Sequence, residues 1–536
     1  MAATESKNVA AALIDLLADY GVDTVFGIPG VHTLEFYRHL SKSSLTHVVT
    51  RHEQGAAFMA DGYARASGRP GVALVISGPG VTNAATALGQ AYADSVPLLL
   101  ISTVNRLDSL GRGWGLLHEL TDQDAVTSPM TAFSATAGSV DEIPGLLARA
   151  FAQFNSGRAR PVHISIPTEL LEAPVTAPWE VASEIKQASL DTILLDGIAG
   201  ELRRARNPLI LIGGGAVAAG ASLSSIVERL QSPVISTANG KGIIPDTHPL
   251  HLAGSLIRPE AHQLIKNADR VLVIGSELAE SGSCRKTLDL EGKLLRIDID
   301  PAKLSDKYPA LVAACADAQD SCSYLDQKLA EFDLKPQNGI ETVVRARDAI
   351  TNNLVSAEHR HIRVLRTLRA AIPEDSLIMA DATQLVYTGM FGMPMAGPRL
   401  WHYPAGFLTL GSALPCAIGA SIALTHKPVA VLVGDGGFLF TVQELLTAAE
   451  QRLPLVIILW NNNALKQIKD DMQNEMMLTL AVDNLNPDFS SLVQSCHCLW
   501  QQPGSHADLQ EIVSQAFKAD RPTVVEIDEY ADWIDD

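Results

Sequence analysis

The residues best placed to do chemistry are an aspartate in a glycine turn and a run of three asparagines. From Val429 the chain reads Val-Ala-Val-Leu-Val, then Gly434-Asp435-Gly436-Gly437, then a mixed segment to Glu450. Leu453-Pro454 follows, then a second apolar run to Trp460, then Asn461-Asn462-Asn463. Asp435 and Asn462 are 27 residues apart. Carboxylate and amide oxygens are hard donors that suit Mg2+, an ion that shares its shell with water and phosphate. Glycines let main-chain N–H groups approach phosphate oxygens closely. The pair of turns therefore reads as a cradle for Mg2+ and a diphosphate. The plainer alternative is two polar turns of an ordinary α/β protein.

For these turns to meet, the elements between them must form a crossover. Val429–Val433 and Leu455–Trp460 read as strands, with helix between them. Such a unit is right-handed and brings both turns to the carboxyl edge of one parallel sheet. The same grammar runs through the chain. Strands are expected at 23–27, 46–50, 72–76, 97–102 and 161–167, with helices over 33–40, 53–67 and 84–93. A second unit has strands at 208–212, 234–237, 270–274 and 293–297, and a third adds 376–380 and 523–527. Apolar strands without polar alternation, separated by helices, mean parallel sheets covered on both faces. We expect three doubly wound α/β domains, 1–176, 190–332 and 343–536, joined by polar linkers at 177–189 and 332–341. The first and third resemble each other in layout.

The whole chain has 536 residues, 47% hydrophobic and 19% charged, enough for several large cores. With 41 Lys+Arg against 60 Asp+Glu its formal charge is −19, which argues against nucleic acid or an anionic membrane as partner. Six cysteines are no disulfide framework in a chain this long. Cys496-His497-Cys498 is spaced too tightly for a usual zinc pair, and a core or surface strand is the expectation there. Met1–Lys7 shows no basic-then-apolar leader, and no apolar run is membrane-length. The expectation is a reducing, cytoplasmic location.

Gly434-Asp435-Gly436 with Asn461-Asn462 at this spacing resembles the cofactor motif of thiamine-diphosphate enzymes, in particular the acetolactate synthase/pyruvate decarboxylase superfamily. Val25 to Gly30, Arg51-His52-Glu53, Ala60 to Arg65, Ser77 to Gly80 with Thr82-Asn83, and Gly411 to Ala420 extend the likeness over the chain. The resemblance implies thiamine diphosphate and Mg2+, with pyrimidine-binding, central and diphosphate-binding domains. Asp435, Asn462 and the Ala464 carbonyl become the metal ligands, and Glu53 the carboxyl that hydrogen-bonds the aminopyrimidine. Gly30, Asn83, Gln384, Leu410, Gly434, Gly436, Gly437 and Gln467 become further cofactor contacts, Leu410 from beneath. Because Glu53 and Asp435 lie in different domains, the resemblance also implies a homodimer or homotetramer with sites between subunits.

Longer runs, among them Arg51 to Arg65 and Gly113-Trp-Gly115 with Leu117-His118-Glu119, resemble the branch that decarboxylates 5-guanidino-2-oxopentanoate (2-ketoarginine). A small 2-oxo acid is the implied substrate, released as aldehyde and CO2. His118 and His32 are candidate proton donors; the alternative for each is a loop histidine. Asp470 and Asp471 occupy a stretch that in acetolactate synthases is apolar, and a carboxylate there suits a guanidinium, although a solvated helix face fits them equally. Lys466 stands where many family members have glycine, a departure that could attract an acidic substrate instead. An acetolactate-synthase-like carboligase and a catalytically silent, cofactor-binding regulatory protein are the competing readings. FAD is not expected: His251 to Arg258 lacks the Gly-Met-His-Gly run, and Gly213-Gly-Gly215 alone is a weak nucleotide signal.

Overall fold

The computed structural model describes residues 7–183, 189–334 and 337–536. Parts of the Met1–Lys7 stretch and of both expected linkers lie outside the described residues.

Three six-stranded sheets, parallel in every strand pair, follow one another along the chain. The first runs, in spatial order, Thr46–Val49, Thr24–Gly27, Gly71–Val75, Leu98–Val104, Val162–Pro167, Phe133–Thr136. The third runs Trp401–His402, Leu377–Ala380, Val429–Gly434, Val456–Asn461, Thr523–Asp528, Leu499–Gln501. Counted from its own first strand, each has the order 2-1-3-4-6-5, so the likeness of layout extends to topology. The central sheet runs Val312–Cys315, Leu294–Asp298, Arg270–Ile274, Pro208–Ile212, Val234–Ser236, His251–Leu252.

This order decides where function can sit. In an open parallel sheet the crevice opens at the carboxyl end where strand order reverses. In the first sheet that point lies between Thr24–Gly27 and Gly71–Val75, which lead into Gly30 and Ser77. In the third it lies between Leu377–Ala380 and Val429–Gly434, which lead into Asp381 and Asp435.

Burial explains why the strands read as unbroken apolar runs. Val456, Ile457, Ile458 and Leu459 are all fully buried, each side chain stabilising the fold by about 1.5–3 kcal/mol. The first and third domains meet through Glu53–Ser67 and Ala413–Ala423. These helices touch main chain to main chain: a Cβ at Gly62 would lie 2.0 Å from the Cys416 carbonyl oxygen, and one at Gly419 only 1.9 Å from that of Met59.

Several elements differ from expectation. Five short strands, Phe133–Thr136, His251–Leu252, Val312–Cys315, Trp401–His402 and Leu499–Gln501, carry too few residues to show a pattern. The helix expected from Ala84 starts at Pro79, because proline is at home in the first turn. Cys496-His497-Cys498 is a turn and not a strand: Cys496 caps Phe489–Ser495 and His497 has a φ of 62°. The stretch expected as linker to 341 is helical from Gly339.

Candidate functional site

The first half of the site gathers at the carboxyl edge of the N-terminal sheet. Glu53 opens the helix Glu53–Ser67, capped by His52. Asn83, in the second turn of Pro79–Ala93, donates its side-chain N–H to Glu53 Oε2 at 2.9 Å. Behind Glu53, a fully buried carboxylate from the third domain seats the helix start: Glu444 accepts the Arg51 N–H at 3.1 and 3.2 Å. Burial pushes the Glu444 carboxyl up to about 6.

His32 stands in the 3-10 turn Val31–Thr33 after Gly30 and shares a hydrogen bond with Ser77 Oγ. His118 faces it edge-on, ring centroids 5.4 Å apart. His118 has a φ of 58°, and its Nδ1 is buried without a partner. Burial, and secondarily the charge of His118, hold the His32 imidazole below the usual histidine range. Gly78 makes the arrangement possible. Its φ is 61°, and a Cβ there would lie 2.4 Å from the His118 carbonyl oxygen. Gln123 fixes the same turn from below, accepting the Gly78 N–H at 3.0 Å and donating to the Thr103 carbonyl at 2.9 Å. Glu119 ties down the next loop through the N–H groups of Gly113, Trp114 and Leu116.

The second half lies at the carboxyl edge of the third sheet. Gly434 ends its strand, and Asp435, Gly436 and Gly437 form the first turn of Asp435–Thr441. Asn462 and Ala464 follow the neighbouring strand Val456–Asn461, and all three of Asp435, Asn462 and Ala464 are buried. Burial raises the Asp435 carboxyl, and a hydrogen bond from Asn486 opposes this. Leu410 is held between two pinned neighbours. Gln90 accepts from the N–H and hydroxyl of Thr409 at 3.2 and 2.8 Å, and Asp381 accepts the Gly411 N–H at 2.7 Å.

Gln384, Gln467, Asp470 and Asp471 come together beside it. Gln384 donates to Gln467 at 3.2 Å and to Asp470 at 2.9 Å, and Gln467 donates to Asp471 at 3.1 Å. Lys466 closes on both Asp470 oxygens at 2.5 and 2.6 Å. None of the described hydrogen bonds joins Glu53 or Asn83 directly to Asp435, Asn462 or Ala464.

The second half suits Mg2+ and a diphosphate. Asp435, the Asn462 amide oxygen and the Ala464 carbonyl make an all-oxygen set. No three His, Cys, Asp or Glu side chains cluster as a metal site among the described residues. The set at Asp435 holds one carboxylate, its other two donors being an amide and a main-chain carbonyl. Gln384 Oε1 is buried without a partner beside it.

The N-terminal, central and C-terminal domain models of the thiamine pyrophosphate enzymes match residues 7–126, 195–325 and 381–527, the two terminal ones described as binding thiamine pyrophosphate. The chain belongs to the thiamine pyrophosphate enzyme family. It is 47% identical, over 96% of its length and 93% of the relative's, to a Pseudomonas aeruginosa protein named "Probable 2-ketoarginine decarboxylase". It is 30% identical to the Escherichia coli acetolactate synthase isozyme 3 large subunit, over 96% of this chain and 93% of that one. The acetolactate synthase large subunit of Haemophilus influenzae is 29% identical over 94% and 91%.

In this family member a cleft where all three domains meet is separate from both halves. It holds about 450 Å3, and Arg65, Arg158, Gly213, Gly275 and Arg399 are among its lining. The Gly213–Gly215 turn packs on the turn at Gly275, with the Gly215 N–H bonded to the Gly275 carbonyl at 3.0 Å. Arg158 is engaged by Glu277, Asp298 and Asp300. No helix is long and apolar enough to cross a membrane among the described residues.

Sequence reading missed Asn486, Glu526, Glu529, Gln123 and Glu444. Glu526 and Glu529 alone carried a usable signal, since the expected strand 523–527 delivers them to the edge where Asn462 emerges.

Proposed function

We propose that the chain is a thiamine-diphosphate- and Mg2+-dependent decarboxylase that converts 5-guanidino-2-oxopentanoate, or a close analogue, to its aldehyde and CO2. The main support is the 47% identity with the Pseudomonas relative across nearly the whole chain.

When bound, the cofactor takes up the electrons left by the departing CO2. Asp435, Asn462 and Ala464 would hold Mg2+ against its diphosphate, Gly30, Gly434, Gly436, Gly437, Gln384 and Gln467 would line its binding site, and Leu410 would bear on it from beneath. Glu53, oriented by Asn83, would hydrogen-bond its pyrimidine. His32 and His118 supply the proton handling. A lowered His32 is neutral at pH 7 and can accept a proton from one side while Ser77 holds the other. His118 would give the proton that takes the place of CO2, and His32 would receive the one shed as the aldehyde leaves, a pairing that would favour aldehyde over a carboligation product. Asp470 and Asp471 would meet the guanidinium.

The active unit is a homodimer or larger. Large apolar side chains beside the halves stay exposed in the single chain, Val31 next to His32, Leu117 next to His118 and Phe440 in the Asp435 helix. All six cysteines are free, as suits a reducing cytoplasm.

The deciding experiment is a panel of 2-oxo acids with Mg2+ and thiamine diphosphate, scored for CO2 and for the mass of the organic product. Aldehyde from the guanidino substrate, with pyruvate poor, is expected. Acetolactate from pyruvate would establish the carboligase. Cofactor binding with no turnover on any member would leave a regulatory protein.

A further inference from the structure

An asparagine can present either end of its amide to a metal, and only the oxygen is a ligand for Mg2+. Asn462 has that choice made for it. Its Nδ2 donates to Glu529 Oε2 at 2.9 Å, and the same oxygen accepts the Trp460 indole N–H at 3.0 Å. A carboxylate has no hydrogen to give, so Glu529 can receive only the NH2 end. Asn462 Oδ1 is thereby turned to the metal turn, where the Ala464 N–H reaches it at 3.2 Å.

Asn461 is treated in the same way. Its Nδ2 donates to Glu526 Oε1 at 2.8 Å, and Glu526 Oε2 accepts the Trp500 indole at 3.0 Å. Glu526 lies in the strand Thr523–Asp528 and Glu529 just beyond it, paired in register with Asn461 opposite Asp528. A third segment closes the group. Asn486 Nδ2 lies 2.7 Å from Asp435 Oδ2, 3.0 Å from Asn461 Oδ1 and 3.2 Å from Asn463 Oδ1, so it draws both metal turns together.

Three buried carboxylates, Asp435, Glu526 and Glu529, thus surround the turn. Among the described residues none of them forms an ion pair with Lys, Arg or His. Lys466 is engaged by Asp470, and Arg360 by Asp535 and the main-chain oxygens of Glu529 and Ala531.

We propose that Glu529, with Glu526 beside it, is a positioning residue for Mg2+. It locks the Asn462 amide with its oxygen inward and places uncompensated negative charge behind the ligands. The inference rests on the Mg2+–thiamine diphosphate reading above. Groups that orient metal ligands typically change affinity 10- to 100-fold.

Glu529→Gln in the full-length protein tests it. Glutamine keeps the shape and removes the charge; its one oxygen must serve both the Trp460 indole N–H and Asn462, so the Asn462 amide is held only by a weaker, neutral acceptor. The Mg2+ dissociation constant, measured by calorimetry at saturating thiamine diphosphate, should rise about 10- to 100-fold. The melting temperature of the cofactor-free protein in EDTA should barely move. Glu526→Gln, which removes charge without touching Asn462, should raise the constant by only a few-fold. An unchanged constant in Glu529→Gln overturns the proposal, as does a rise matched by collapse of the cofactor-free melting temperature. If Glu529→Gln does not fold, an unchanged constant in Glu526→Gln overturns it. A wild type that binds no Mg2+ with thiamine diphosphate overturns the cofactor reading and this inference together.

Discussion

Lys466 Nζ holds both carboxylate oxygens of Asp470, at 2.5 and 2.6 Å, on the helix that follows the Asn461–Asn463 turn. The pair is about a quarter exposed. It sets a condition on the proposed substrate: a guanidinium reaching Asp470 must share it with Lys466 or displace it. Partly exposed pairs of this kind contribute about 0.2–1 kcal/mol. Lys466→Met should therefore lower KM for the guanidino substrate about two- to fivefold and leave pyruvate unaffected. Asp470→Asn should raise it. Steady-state kinetics on both substrates decide the point, and a Lys466→Met enzyme with raised KM for the guanidino acid would remove Asp470 as its partner.

Glu53 and Asn83 are separated by 2.9 Å and come from different helices, so orientation and chemistry can be tested apart. Glu53→Gln is expected to bind cofactor near-normally and lose about 10²–10⁴-fold in kcat, the usual range for a proton-handling group. Asn83→Ala should lose about 10-fold, with the carboxyl present but unoriented. Cofactor affinity by tryptophan fluorescence and kcat from the same preparations separate the two. A fully active Glu53→Gln excludes the assignment.

How far the sequence discloses this site depends on distance along the chain. The Asp435–Asn462 juxtaposition is legible because one crossover separates the two, and crossover handedness fixes where the turns emerge. Parallel strands are legible for a similar reason, since burial on both faces leaves unbroken apolar runs. What escaped was the supporting layer. Asn486 reaches Asp435 from a segment with no periodic pattern. Glu444 reaches Arg51 across 393 residues and two domains. Nor could spacing disclose that Lys466, read as a departure near the site mouth, compensates Asp470: a Lys four residues before an Asp is equally common on a solvated helix face.

Gly78 carries two constraints that a substitution separates from ordinary turn strain. At Gly78 a Cβ meets a positive φ and also the His118 carbonyl at 2.4 Å. At Gly113, with a φ of 65°, no atom lies within 4 Å. Gly113→Ala should cost only left-handed strain, about 1–2 kcal/mol. Gly78→Ala should cost more, about 3 kcal/mol or above, and displace the His118 loop. Urea unfolding of both variants measures the difference, and equal costs would show that the His118 backbone yields freely.

Glu444 predicts a pH dependence whose sign can be worked out. The carboxyl is fully buried, and burial moves it from 4.5 unfolded to about 6 folded. Below about 4.5 it is protonated in both states and imposes no charge penalty. Between 4.5 and 6 the unfolded chain ionises first, so stability from this group falls as pH rises. Above about 6 the buried charge is present in the folded state and the loss is complete, on the order of 2 kcal/mol. Glu444→Gln never ionises but cannot accept from Arg51 and Thr447 as the carboxylate does. That deficit is independent of pH, so the slope isolates the titration. The stability of wild type minus that of the variant should be larger at pH 4.5 than at pH 7 by on the order of 2 kcal/mol, read from urea midpoints. A difference constant across that range would mean that the carboxyl seating the Glu53 helix titrates as it does in water, and that the contact between the two domains there is open to solvent.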